Sequence, residues 1–262
     1  MSESFPTEAA RVLVFQAHPD DEVFTTAAGM LAAVAAGGTV TLLVATGGEL
    51  GEQMADPTLD EETARRRRGA RLTESCRILG VDWEPLTEPG RWIDGTAGNE
   101  RNLAAADRAE VAGEVRKAID RYEPELVLTV GPTGITGHPD HRAMFTAVTA
   151  ALAGPGWKPR RALGAVLRDV DVTAAAQTVP FPDGKERLTG VPEADVAVRV
   201  ELPAALVPRH REAMDVYHAG LGTMGLDELI ATGLRGGALA LRAIFDASDG
   251  MAEYYIDLPV DQ

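Results

Sequence analysis

VLVFQAHPDDEVF, residues Val12 to Phe24, passes from a β-branched apolar segment straight into a histidine, a proline and three consecutive acids. The apolar part, extended to Arg11 and Ala17, has the length and composition of a buried strand. The segment after it is Ala-rich from Thr25 to Ala36 and closes on Gly37-Gly38, which reads as a helix with its stop signal. TVTLLVAT, Thr39 to Thr46, is the next strand, and strand, helix, strand is the unit of a parallel sheet. The order recurs. A charged helix is expected over Asp60 to Leu79, a second over Asp107 to Arg121 leading into the strand ELVLTVG, and an Ala-rich helix after Asp140. Ala162–Val170 and Asp195–Leu202 read as further strands and Pro203–His218 as a helix, with weaker strand patterns closing the chain.

The expected fold class is therefore α/β, a Rossmann-like, mostly parallel sheet with helices on both faces. No repeat or linker divides the sequence, so residues 1–262 are expected to form a single domain. Its core would be 11–152, with 153–262 completing the sheet and pocket and with loops at 88–99 and 180–192. A net charge of -15 argues against nucleic acid and anionic membranes as partners, because both need a basic face. No basic leader precedes an apolar run and none approaches the roughly 20 residues of a membrane span, so a cytoplasmic location is expected. Cys76, the single cysteine, lies in a helical stretch where a buried, inert thiol is expected. A small-molecule substrate is the partner that remains, and self-association stays open.

Two strands end alike. VLVFQA runs into His18-Pro19-Asp20-Asp21, and LVLTV runs through GPTGITG into His138-Pro139-Asp140-His141, so three of the five histidines fall at strand ends, where such sheets bind ligands. Catalytic zinc takes three protein ligands, often two histidines and a carboxylate, and keeps a fourth position open. His18 and Asp21 are three residues apart, as are His138 and His141, which puts each pair on one side of a turn. Four candidates thus compete for three positions. If His18, Asp21 and His141 hold the metal, Asp20 and His138 remain as an acid and base pair, with Asp140 placed to orient His138. Helix capping explains either cluster alone, since aspartate at a helix start satisfies free amides. It does not explain the pair.

AHPDDE at Ala17–Glu22 and GHPDH at Gly137–His141 resemble the motifs of the zinc-dependent N-acetylglucosaminyl deacetylases, the family of LmbE-like and PIG-L enzymes. The resemblance covers about Arg11 to Leu152. It implies His18, Asp21 and His141 as zinc ligands, Asp20 as general base, His138 as the residue that stabilises the oxyanion or protonates the amine, and Asp140 as its partner. WIDGTAGN, Trp92 to Asn99, resembles the family's substrate loop and implies Asp94 as a binder of sugar hydroxyls, with Trp92 as a pocket wall; a plain Asp-Gly turn is the competing reading. The helix RRRRGARLTESCRILG implies Arg68 as a substrate contact, although Glu61 and Glu62 stand four residues before Arg65 and Arg66, as on a solvated helix. MDVYHAG implies His218.

Three positions depart from the family pattern: Thr136 replaces a tyrosine found in mycothiol-type members, Thr25 a lysine of enzymes that cleave larger thiol conjugates, and Arg71 a glutamate. The function implied is removal of the acetyl group from an N-acetylglucosamine-type sugar or a conjugate of one, with zinc as cofactor and iron(II) accepted by the same donors. An amidase for larger acyl groups or thiol conjugates is the near rival. A dinucleotide-binding oxidoreductase is the distant one, and the first strand lacks its G-x-G-x-x-G turn. A non-catalytic binding protein would have no need of Asp20.

Overall fold

A computed structural model of the chain describes residues 3–95, 99–181, 188–248 and 251–260, the first two as backbone only. Residues 96–98 of the expected substrate loop and 182–187 of the later loop lie outside them. The elements run β1 (Glu3–Ser4), β2 (Arg11–Gln16), α1 (Asp21–Thr25), α2 (Ala27–Ala35), β3 (Thr39–Val44), α3 (Glu49–Ala55), α4 (Glu61–Leu79) and β4 (Asp82–Pro85). Then follow α5 (Arg108–Tyr122), β5 (Leu126–Val130), α6 (Pro139–Ala153), β6 (Arg161–Arg168), α7 (Asp169–Ala175), β7 (Gly190–Val191) and β8 (Val198–Val200). The chain continues through α8 (Val207–Asp215), α9 (Leu226–Ala231) and α10 (Gly237–Ala247) to β9 (Glu253–Asp257).

The sheet order is β1-β8-β9-β6-β5-β2-β3-β4, with β7 paired to β6. Among the described residues only the pairings of β9, with β6 and β8, are antiparallel, so the sheet is mostly parallel as expected. Along β2 alternate residues point to opposite faces. Val12 and Val14 pack with α2 and α4, whereas Leu13 and Phe15 pack with Val111, Val115 and Ile119 of α5 and Met144 and Val148 of α6. Helices therefore cover both faces. Asp60 and Asp107 start α4 and α5 as caps, accepting from Thr63 N at 2.7 Å and Ala109 N at 2.7 Å.

Two of the differences from expectation have contacts that account for them, one long-range and one local. The helix expected over Thr25–Ala36 breaks at Thr26, where the backbone is not helical (φ -142). There Gln16 Nε2 donates to the hydroxyls of Thr25 at 2.6 Å and Thr26 at 3.0 Å. The first amides of α2 find an acceptor far along the chain: Ala28 N and Gly29 N donate to the two oxygens of Glu253 at 2.8 and 3.0 Å. The strand expected to reach Val170 stops at Arg168, whose guanidinium makes a two-toothed pair with Asp171 at 2.7 and 2.8 Å and starts α7 instead. The strand expected over Asp195–Leu202 shortens to β8, and the helix over Pro203–His218 to α8. Cys76 is buried, and burial pushes its thiol upward, out of reach of ordinary thiol chemistry.

Candidate metal and catalytic site

From β2 the chain builds outward in one direction to β3 and β4, and β5 returns on the other side of β2. The sheet's order reverses between β2 and β5, so the segments leaving their carboxyl ends share one crevice. The first supplies His18, Asp20 and Asp21, and the second supplies His138, Asp140 and His141. In the turn between β5 and α6, Gly134 has φ 67, and its carbonyl accepts from His141 Nδ1 at 2.9 Å. A Cβ there would stand 3.2 Å from that of His141, on a left-handed backbone, so glycine is what allows this contact.

With Nδ1 committed, His141 turns Nε2 inward, 3.0 Å from Asp21 Oδ1 and 3.2 Å from His18 Nδ1. His18 Nδ1 lies 3.4 Å from Asp21 Oδ2. Donors about 2.0–2.2 Å from a tetrahedral ion stand roughly 3.3–3.6 Å apart, so these two imidazoles and one carboxylate fit a divalent cation after opening by a few tenths of an ångström. The ring nitrogens of His18, His138 and His141 form a second set of candidate donors within 4.8 Å of one another. That spread exceeds the edge of one ion's tetrahedron, and the set containing Asp21 fits better. Burial works against ionised Asp21, but His141 and His18 hold its carboxyl well below the usual range.

Asp140, fully buried, spans three donors: Ala104 N at 2.8 Å to one oxygen, Gly95 N at 3.1 Å and His18 Nε2 at 3.1 Å to the other. Because a carboxylate only accepts, the proton of neutral His18 sits on Nε2 and Nδ1 is left to face His141 and Asp21. The structure thus sets the Asp140 carboxylate against His18, whereas the sequence pointed to His138. His138 Nδ1 is 3.9 Å from that carboxylate and instead accepts from the Asp140 backbone N at 3.2 Å, as the cap of α6. The neutral ring then carries its proton on Nε2. Burial and the neighbouring His18 and His141 push the His138 pKa down to about 4, so at neutral pH the ring is an uncharged donor.

Asp20 has φ 100 and ψ -24, a conformation that costs a non-glycine residue on the order of 1–3 kcal/mol and that marks functional sites. Its Oδ2 pairs with Arg68 Nη2 at 2.8 Å, and the same guanidinium bonds the carbonyl of Pro19. Burial raises the Asp20 pKa while Arg68 opposes the rise. Arg68 is thus joined to Asp20, and among the described residues its buried Nε has no hydrogen-bond partner. Glu22, fully buried, accepts from Asp20 N at 2.9 Å, Ser75 Oγ at 2.6 Å and Tyr217 Oη at 2.7 Å, and burial pushes its carboxyl up to about 7.

The other expected residues fall in different surroundings. Both oxygens of Asp94 accept backbone amides at the start of α3, Leu50 N at 2.7 Å and Gly51 N at 2.9 Å. Trp92 is 4% exposed and packs in the core beside α5 and α6. Trp83, a residue not singled out from sequence, instead walls a cavity of about 120 Å³ with Pro19, Val44, Leu72 and Pro85. His218 is exposed beyond α8 and, among the described residues, makes no side-chain contact with the cluster; the neighbouring Tyr217 reaches it through Glu22. Thr25 is buried and donates to Asp21 O at 2.8 Å, Thr136 is half-buried, and Arg71 pairs with Glu52 of α3 at 2.6 Å. Glu22, Ser75 and Tyr217 are the residues that sequence reasoning missed. A glutamate at the end of a buried strand was their one visible sign.

Comparison with known proteins places this geometry among relatives. The profile of the family described as PIG-L, GlcNAc-PI de-N-acetylase, matches residues 13–152. A 1D-myo-inositol 2-acetamido-2-deoxy-alpha-D-glucopyranoside deacetylase of Mycobacteroides abscessus is 31% identical, covering 95% of this chain and 88% of that one. The deacetylase of the same name from Kineococcus radiotolerans is 32% identical over 84% of this chain and 71% of its own. Among solved structures, the N,N'-diacetylchitobiose deacetylase of Pyrococcus horikoshii superposes with a TM-score of 0.63 at 18% identity, covering 96% of this chain and 85% of that one. A 4-carboxy-2-hydroxymuconate hydratase of a Pseudomonas superposes at 0.62 and 13% identity, covering 96% and 97%. The fold alone therefore does not choose the reaction.

Proposed function

The chain belongs to the PIG-L family of GlcNAc-PI de-N-acetylases, and from that premise we propose that it is a zinc-dependent amidohydrolase that removes the acetyl group from an N-acetylglucosaminyl glycoside. The observation that carries this reading is the convergence of His18 Nδ1, His141 Nε2 and the Asp21 carboxylate within 3.4 Å of one another, with Asp20 beside them. Two nitrogens and one oxygen suit zinc and also accept iron(II). A divalent ion held there supplies Lewis-acid polarisation of the acetamide oxygen and makes water acidic enough to lose a proton near neutral pH.

The chain's own residues do the rest. Asp20 takes the proton of the attacking water, and Arg68 at 2.8 Å keeps its carboxylate in place. His138, with Nδ1 occupied by the Asp140 amide, offers its Nε2 proton to the acetamide oxygen as charge develops there. The proton on Asp20 is available to the departing amine, so acid and base roles close on one carboxyl. Asp140 fixes the His18 ring so that the same nitrogen always faces the ion. The substrate we favour is a small glycoside of the kind named for the relatives, met in the cytoplasm; among the described residues, no helix is long and apolar enough to cross a membrane.

The cavity beside Pro19 favours a second reading, in which a larger N-acyl group is cleaved. Acid release from N-acetyl and N-hexanoyl glucosaminyl-inositol separates the two. Faster turnover of the acetyl compound supports the first reading, and faster turnover of the hexanoyl compound replaces it with the second.

A further inference from the structure

Glu22 is a fully buried carboxylate that, among the described residues, makes its hydrogen bonds to Asp20 N, Ser75 and Tyr217 and none to the side chains of the candidate metal donors, and an apolar residue would fill its place without the desolvation penalty of a charge. Its contacts join three distant parts of the chain. One oxygen accepts from Asp20 N at 2.9 Å, and the other accepts the hydroxyls of Ser75 in α4 at 2.6 Å and of Tyr217 after α8 at 2.7 Å. Asp20 is also the residue with φ 100, and a strained backbone persists only where its surroundings hold it. Ordinary capping of α1 would explain the Asp20 contact alone. It leaves the two hydroxyls and the complete burial without a reason.

We propose that Glu22 is a positioning residue whose carboxylate, anchored by Ser75 and Tyr217, clamps the Asp20 amide and so holds the Asp20 carboxylate at the candidate metal centre. Tyr217 is then the contribution of the C-terminal third to the site. The proposal rests on the deacetylase reading for its kinetic consequences but not for its structural one.

The test uses metal-loaded wild type, Glu22→Ala, Glu22→Gln, Asp20→Asn and the Asp20→Asn/Glu22→Ala pair, assayed for acetate release with metal content measured alongside. Displacing a catalytic group by about 1 Å costs on the order of 100-fold, so Glu22→Ala is expected to lower kcat by about ten- to 100-fold, with KM and metal content nearly unchanged. Glu22→Gln recovers most of this, because its oxygen still accepts the Asp20 amide while the two hydroxyls turn to accept from its nitrogen. In the Asp20→Asn background the Glu22→Ala loss disappears, since Glu22 acts only through Asp20. A crystal structure of Glu22→Ala shows Asp20 relaxed to a negative φ. The same proportional loss with and without Asp20, or φ still near 100 in the variant, overturns the proposal. If Glu22→Ala does not fold, Tyr217→Phe takes its place with a smaller loss of about threefold under the same criteria. If wild type releases no acetate, the deacetylase reading fails, and the φ of Asp20 in the variant still decides the clamp.

Discussion

Replacing Asp140 by asparagine keeps the shape of the side chain and changes one oxygen into a donor. One oxygen of Asp140 accepts from Ala104 N and the other from both Gly95 N and His18 Nε2. An amide nitrogen placed at the second oxygen meets two donors. It leaves the half-buried Gly95 amide unsatisfied, a loss of at most about 1–3 kcal/mol in stability. It also requires His18 to give up the Nε2 proton, and the neutral ring then carries that proton on Nδ1, the nitrogen that faces His141 and Asp21. Placing the nitrogen at the first oxygen spares His18 but opposes Ala104 N instead. Loss of such an orienting partner weakens metal binding by roughly 10–100-fold, which is about 1.4–2.7 kcal/mol. Competition between the protein and a chromogenic chelator for zinc measures this without any substrate. A zinc affinity in Asp140→Asn equal to that of wild type would show that the Asp140 contact does not set the His18 tautomer.

Arg68→Ala removes the partner of Asp20 and of the Pro19 carbonyl, and a hydrogen bond to a charged group is worth about 1.5–3 kcal/mol, so kcat/KM should fall by roughly 10- to 150-fold with metal content intact. Asp94→Ala exposes the start of α3 and should lower the melting temperature by about 2–4 °C for a cap worth about 1 kcal/mol; an unchanged melting temperature with a raised KM would instead assign Asp94 to the sugar. Burial pushes the Glu253 carboxyl up to about 7, above its ordinary 4.5, against the opposing hydrogen bonds of Tyr255, Ala28 and Gly29. A folded-state value above the unfolded one means that this stability is fully present below about pH 4.5 and is lost as the pH rises through 7, by about 3 kcal/mol. Denaturant unfolding of Glu253→Gln between pH 4.5 and 8 should therefore show a weaker decline than wild type, and equal slopes would count against the assignment.

What the residues revealed by themselves was the pair of strand ends. His18 and His141 are legible because strand, turn and helix are written in local composition, and because neighbouring strands at a reversal of sheet order bring their trailing segments together. The break at Thr26 was not legible: alanine favours one continuous helix, and the groups that interrupt it, Gln16 and Glu253, act from another element. Asp94 and Asp140 were recognised as important acids, but their partners are backbone amides and a histidine that only folding brings near. Tyr217 stands one residue before the His218 that the resemblance pointed to, and only the path of the turn after α8 says which side chain faces inward. Trp83, in β4, lies beside a cavity and Trp92, in the loop after it, lies in the core, placements that only the assembled fold decides.

The decisive measurement is acetate release from an N-acetylglucosaminyl inositol by wild-type protein stripped with chelator and then reloaded with zinc, beside Asp20→Ala treated in the same way. The arrangement of His18, Asp21 and His141 around one ion, with Asp20 as the base, predicts equal amounts of acetate and free amine from reloaded wild type. It predicts almost none from the stripped protein or from fully zinc-loaded Asp20→Ala. Acetate release that survives chelation, or that continues undiminished without the Asp20 carboxylate, would contradict it.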